Sequence, residues 1–207
     1  MKKHEEQLAA IQEMRNMMDQ ATRFKSISGI SGMLAGILAI VCVAIVCYLA
    51  NTNPVQAGAL ETILDSANEG MVLVAFGTLF ILAVSIGIVL ALRNARARGT
   101  SASDNAAKRL MFHLAIPVLV GGIFSVLLFR MGYPLLVAPV TLLFYGMGLL
   151  QASKFTLDAV RTVGLIQLAL GLLATAFLAY GLLIWTFGFG LVHILYGFII
   201  YVKYERA

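Results

Sequence analysis

Side chains that could do chemistry are few in this sequence, and His193 is the most informative of them. It falls inside a long apolar segment, where an ionisable residue is a functional hypothesis by default. Four uncharged polar residues also lie inside apolar segments, each in the half nearer the predicted cytoplasmic side. They are Ser31, Tyr145, Gln167 and Tyr196. The five residues predict either a polar site that opens toward one side or hydrogen bonds that hold helices together.

No group of residues predicts a catalytic, cofactor-binding or metal site. The apolar segments carry no Asp or Glu, so a metal at His193 would lack further ligands and a proton carrier would lack its usual carboxylate. Gly29-Ile30-Ser31-Gly32 resembles the Gly-x-Ser-Gly motif of rhomboid proteases, but Ser31 lies in the first apolar segment, whereas the rhomboid serine lies in the fourth core span. We therefore expect a non-enzymatic protein without a cofactor.

The elements that must position these residues are membrane-spanning helices. Of the 207 residues, 60% are hydrophobic and only 12% are charged, whereas soluble domains are about 25% charged. A helix needs about 20 apolar residues to cross a hydrocarbon layer about 30 Å thick. The charge-free blocks predict an all-α polytopic bundle in one domain, 1–207, with six spans near residues 27–50, 71–92, 110–129, 134–152, 162–183 and 187–202.

The last two predicted spans come from one charge-free interval, which runs from residue 162 to residue 202. At about 1.5 Å per residue, a single helix of that length would be about twice as long as the bilayer core is thick. Trp185 is followed by Gly188 and Gly190. Because glycine weakens helices and tryptophan favours the headgroup level, we place the break between the two spans at residues 184–186.

Two further features concern the start of the chain. Residues 5–24 place Leu8, Ile11, Met14 and Met18 at helical spacing, which predicts an amphipathic helix within a cytoplasmic segment, residues 1–26. The first span then opens with Ser28, Gly32 and Gly36. Small residues four apart let another helix approach closely, so these three predict a helix-packing surface.

Charge predicts the orientation. In the six-span arrangement every Lys and Arg except Arg130 falls on one side, and this side is expected to be cytoplasmic, together with both termini. The net charge of +5 is thus attributed to topology and to the lipid bilayer as a partner, not to nucleic acid.

Oppositely charged residues recur at the cytoplasmic ends of two spans. Asp19 and Arg23 are four apart before the first span, and Asp158 and Arg161 are three apart before the fifth. Residues at these spacings are neighbours on a helix surface. We expect the four to form one ion-pair network that ties the N-terminal helix to the fifth span.

Three stretches of the chain form a recognisable motif set. They are Arg15-x-x-Met18-x-x-x-Thr22-Arg23-Phe24 with Ser28-Gly29-Ile30-Ser31-Gly32-x-x-Ala35-Gly36, Ala152-Ser153-Lys154-Phe155-Thr156-Leu157-Asp158 with Arg161 and Gly164, and Gly188-Phe189-Gly190-x-x-His193-Ile194-x-Tyr196-Gly197 with Tyr201-x-Lys203-Tyr204-Glu205-Arg206. Together they resemble a family of uncharacterised six-span integral membrane proteins of Bacteroidota bacteria. The resemblance spans nearly the whole chain and implies a bacterial inner membrane, but no activity.

Two functions therefore stay open. The absence of acidic residues from the spans favours a membrane-embedded scaffold, regulator or partner subunit, which would act in a homo-oligomer or with another protein. The alternative is a small transporter or channel for an ion or a small molecule.

The orientation can be tested with reporter fusions. Fusions at Asn53 and Gly132 should report the periplasm, and fusions at Gly99 and Ala207 should report the cytoplasm, because basic loops are retained inside. Paired alkaline phosphatase and fluorescent-protein fusions measure this directly. A periplasmic signal from Gly99, which lies in the most basic loop, would contradict the predicted orientation.

Overall fold

The computed structural model describes residues 28–66 and 105–205 continuously, together with residues 7, 11, 14, 74–79, 81–83, 85, 86, 89, 90 and 93. All regular secondary structure in this part of the chain is helical. The all-α class predicted from the apolar blocks is therefore confirmed.

Seven α-helices lie wholly within the described residues. They are α1 (Gly29–Leu49), α2 (Ala59–Ser66), α3 (Asn105–Arg130), α4 (Val137–Ala152), α5 (Asp158–Ala176), α6 (Gly181–Thr186) and α7 (His193–Ile200). Short 3₁₀ turns at Pro134–Leu136, Ser153–Phe155 and Leu178–Tyr180 join or extend them, and two π-helical turns, Phe187–Val192 and Tyr201–Glu205, follow α6 and α7. Because α6, the first π-helical turn and α7 form one continuous helix, we refer to Leu178–Lys203 as the C-terminal rod.

Within the described residues, five helices are long and apolar enough to cross a membrane: Gly29–Leu49, Ala107–Arg130, Pro134–Phe155, Asp158–Ala176 and Leu178–Lys203. The predicted span at 71–92 is described only in part, with residues 74–79 and 81–83 helical. Most of the predicted amphipathic helix at 5–24 lies outside the described residues; Gln7, Ile11 and Met14 are helical and exposed.

The predicted break at residues 184–186 is wrong, because the chain turns at Phe177. There α5 ends, and Phe177 has the non-helical angles φ −123° and ψ 64°. The carbonyl of Ala179 in this turn accepts a hydrogen bond from the Gly58 N–H, at 2.8 Å, so a residue far away in sequence satisfies the turn's backbone. No local sequence signal carries that contact.

The residues expected to break the helix lie inside the C-terminal rod instead. The indole of Trp185 is half-buried and donates to Thr141 Oγ1 at 3.1 Å. Gly188 and Gly190 are buried, and their missing side chains leave room for Gln167 and Ile40 respectively. Helix packing, not chain reversal, explains this composition.

Three of the spanning helices pack in chain order, α3 against α4 and α4 against α5. The C-terminal rod packs against α4, α5 and α1. We define the basic end of the bundle as the end that carries the start of α1, the Ser153–Phe155 turn and the Tyr201–Glu205 turn, and we name the other end the Arg130 end. At the Arg130 end, α2 places Ile63, which is 1% exposed, against α1 and α6.

Glycines set the contact between α1 and the C-terminal rod. A Cβ atom at Gly29 would meet the backbone of Gly197, and one at Gly36 would lie 2.5 Å from the Gly190 carbonyl oxygen. Gly32 lies in the same contact, against Gly197 and His193. Of the predicted packing residues, Gly32 and Gly36 face the rod, whereas Ser28 precedes the helix as its buried N-cap residue.

Substitution of Gly36 by alanine should destabilise the protein. The added methyl group would lie 2.5 Å from the Gly190 oxygen and 2.7 Å from Ile194 Cγ1, so the two helices would have to separate. Overpacking of this kind costs about 1–3 kcal/mol. The measurement is the free energy of unfolding in mixed micelles. Gly122→Ala is the matched control, because a Cβ atom there has no neighbour within 4 Å; equal stability of the two variants would contradict the close approach.

Candidate functional site

His193 lies midway along the C-terminal rod and is 8% exposed. It is the first residue of α7, directly after the π-helical turn Phe187–Val192. Trp185, Phe189 and His193 are spaced four apart, so they lie on one face of the rod. The Phe189 ring is tilted by 33° against Trp185, with centroids 4.7 Å apart, and is stacked on His193 at 5.6 Å.

Both ring nitrogens of His193 have partners. Nδ1 lies 3.0 Å from the Gly188 carbonyl oxygen, and Nε2 lies 2.9 Å from the Tyr145 hydroxyl. A carbonyl can only accept, so in the neutral ring Nδ1 carries the proton and donates to Gly188. Nε2 is then an acceptor, and the Tyr145 hydroxyl donates to it.

Gln167 on α5 completes the arrangement. Its side chain is 0% exposed, and its Nε2 donates to the Gly188 carbonyl at 2.9 Å. The carbonyl of Gly188 thus accepts from two side chains on different helices. The other amide atom, Oε1 of Gln167, is buried and has no hydrogen-bond donor among the described residues.

We name Tyr145, Gln167, Gly188 and His193 the polar hub. It connects α4, α5 and the C-terminal rod through hydrogen bonds that run Tyr145 to His193 to Gly188, where the bond from Gln167 joins them. The π-helical turn supplies the shared carbonyl. Such turns are rare and are frequent at functional sites.

Aromatic rings enclose the hub. The ring of Tyr145 lies 5.1 Å from Phe189 and 5.4 Å from His193, centre to centre. Phe76 meets the edge of Trp185 at 5.3 Å, nearly perpendicular to it. These contacts surround the imidazole with apolar surface. In such surroundings a polar group without a hydrogen-bond partner is costly, so the bonds of His193 are strongly favoured.

The other two predicted members of the polar site have different described contacts. The Ser31 hydroxyl on α1 donates to the Ser28 carbonyl at 2.6 Å, which is a local bond at its own helix start. Tyr196 is half-buried and packs against the apolar cluster of Leu149, Val160 and Ile200, which Tyr145 also contacts. The hydrogen bonds described above therefore join three of the five predicted residues, Tyr145, Gln167 and His193.

Sequence reasoning missed the role of Gly188, because a backbone carbonyl carries no residue-specific signal. The sequence did contain a signal that the helix continues through residues 184–186. This signal is the four-residue spacing of Trp185, Phe189 and His193. That spacing marks one continuous helical face and so argues against a chain reversal at residues 184–186.

The predicted ion-pair network is described for one half only. Asp158 and Arg161 are both exposed in the first turn of α5, where the Asp158 carboxylate also favours the positive end of the helix dipole. Asp19 and Arg23 lie outside the described residues. The four-residue network stays a prediction.

Among the described residues, no three His, Cys, Asp or Glu side chains come together as metal ligands would. The hub offers one imidazole, one phenol and one amide, a set suited to hydrogen bonding.

Comparison with known proteins finds no match to a family model, to a curated protein or to a solved structure. The resemblance to the Bacteroidota family therefore stays a prediction.

Replacement of Tyr145 by phenylalanine should lower the free energy of unfolding by a small but measurable amount. It removes the donor to His193 Nε2 and keeps the ring that stacks on Phe189. Hydrogen bonds between membrane helices contribute about 0.6 kcal/mol on average and up to about 1.7. Unfolding in mixed micelles measures the loss, with Tyr180→Phe as the control because Tyr180 is 43% exposed near the Arg130 end. Equal stabilities of the two variants would contradict the assigned bond.

Proposed function

We propose that this chain is a non-enzymatic scaffold, regulator or partner subunit embedded in a bacterial inner membrane. The observation that carries the proposal is the polar hub. Its side chains bind one another and a backbone carbonyl, with Gln167 0% and His193 8% exposed. Mutual hydrogen bonds of this kind fix the relative positions of three helices, as a scaffold requires.

The outer surfaces of the bundle support the same proposal. Only 17% of the most apolar 18-residue stretch of the Ala107–Arg130 helix is buried inside the chain, so most residues of that stretch lie at the outer surface of the bundle. On α1, Ile45 and Leu49 are more than half exposed. These faces offer apolar area to lipid, to a second copy or to another membrane protein.

The proposed orientation has six spans, an amphipathic helix before the first span and both termini in the cytoplasm. The charges of the described residues support it. The basic end carries Lys108, Arg109, Lys154, Arg161 and Lys203, all exposed. Arg130 lies at the other end, which matches the bias that retains basic residues inside.

A small transporter is the second candidate, and one observation favours it. Gln167 Oε1 is a buried acceptor without a donor among the described residues, next to a titratable imidazole midway along the span. Buried acceptors of this kind are costly and are often kept for a ligand or a proton. A transport cycle would have to open the aromatic enclosure around the hub.

Proton flux in reconstituted vesicles separates the two functions. The scaffold proposal expects no pH change in vesicles that contain the wild-type protein and a trapped pH-sensitive dye, and no difference after His193→Gln. Glutamine can keep hydrogen bonds but cannot titrate near neutral pH. Thr175→Val is the matched control, because the Thr175 hydroxyl donates to Gly171 within α5, outside the hub.

A proton-coupled flux in the wild type that is lost in His193→Gln and kept in Thr175→Val would make transport the function.

The scaffold proposal also requires a partner. Extraction of native membrane discs with a maleic-acid polymer should yield a complex of fixed stoichiometry, and a monomer without stoichiometric partners would contradict it.

A further inference from the structure

An apolar groove runs along the outer surface between α3 and α4. It has a volume of about 500 Å³ and is lined by Val120, Ile123, Phe124, Leu127 and Phe144. Its shape follows from a glycine, because Gly121 has no side chain and the Phe144 ring lies directly against it. Val120, Ile123 and Leu127 are each at least half exposed, so the groove opens away from the bundle.

The groove occupies the half of the bundle nearest the Arg130 end. Its lining residues on α3 follow the spacing i, i+3, i+4 and i+7, which is one helical stripe. Arg130 follows Leu127 by three residues and continues the edge of that stripe. From Val120 to Arg130 the helix rises about 15 Å, which is half of the hydrocarbon thickness and so the depth of one leaflet.

The head of the groove carries groups suited to a phosphate. Arg130 is exposed and Tyr133 is 55% exposed at the end of α3. Guanidinium binds phosphate oxygens with two parallel N–H donors, and tyrosine favours the headgroup level. Glu61, the described acidic side chain of this end, lies on α2, which packs on α1 and α6.

The volume of about 500 Å³ favours a lipid chain over a protein helix. A helix with its side chains is about 10–12 Å across, so a segment as long as the lining stripe, about 15 Å, would need more than about twice this volume. The Phe124 and Phe144 rings, which both line the groove, pack against each other with their centroids 6.2 Å apart. An extended acyl chain is thinner than a helix. It also needs no hydrogen bonds, and the apolar lining offers none.

We propose that this groove, with Arg130 and Tyr133 at its head, is a binding site for one anionic phospholipid. The Arg130 guanidinium pairs with the headgroup phosphate, and one acyl chain lies along Leu127, Ile123 and Val120. The single positive charge selects a headgroup of net negative charge over a choline headgroup, whose own cation it would repel. The site is independent of the scaffold function.

Native mass spectrometry of the purified full-length protein, titrated with phosphatidylglycerol or phosphatidylcholine in detergent, tests the site. The wild type should bind one phosphatidylglycerol about tenfold more tightly than phosphatidylcholine. Arg130→Gln should abolish this preference. Lys154→Gln, which removes an exposed charge at the basic end, should leave it unchanged.

A second pair of variants tests the groove itself. Val120→Trp would fill the groove and should weaken binding of both lipids, whereas Leu119→Trp, at a neighbouring exposed position outside the lining, should not. Three outcomes would overturn the proposal: equal binding of the two lipids by the wild type, equal losses in the Arg130 and Lys154 variants, or displacement of phosphatidylglycerol by millimolar inorganic phosphate, which would reveal an anion site without lipid recognition.

Discussion

The carbonyl of Gly188 is the point on which the interior of the bundle depends. It accepts hydrogen bonds from Gln167 on α5 and from His193 on the rod that carries it, and His193 in turn accepts from Tyr145 on α4. In a hydrocarbon layer no water can replace such partners, so the loss of one of these bonds leaves a buried polar group unpaired. One backbone oxygen therefore links α5 to the rod, and His193 extends the link to α4.

The rest of the packing follows from how closely backbones can approach. Apolar side chains gain nothing by leaving lipid for a helix interface, so association relies on shape. Gly29 and Gly36 let α1 meet the C-terminal rod, and Gly146 and Gly164 do the same for α4 and α5. At the hub, the aromatic rings of Tyr145 and Phe189 pack against the His193 imidazole.

The two ends of the bundle differ in chemistry as well as in charge. The basic end is a collar of exposed lysines and arginines, which suits an anionic membrane surface in general. The other end holds one exposed arginine above an apolar groove, and α2 covers the ends of α1 and α6 beside it. A diffuse charge attracts a surface, whereas a single charge beside a shaped groove can select one lipid.

Sequence alone determined the helical class, the approximate bounds of the spans near 27–50, 110–129 and 134–152, and the identity of three hub residues, because blocks of apolar residues and isolated polar ones are visible directly in the chain. The break at Phe177 and the role of Gly188 could not be read in this way. The first depends on a hydrogen bond from Gly58, far away in the chain, and the second on a backbone oxygen exposed to two helices. Trp185 and the glycines after it look like a turn locally, and only the neighbouring helices decide that they continue a helix.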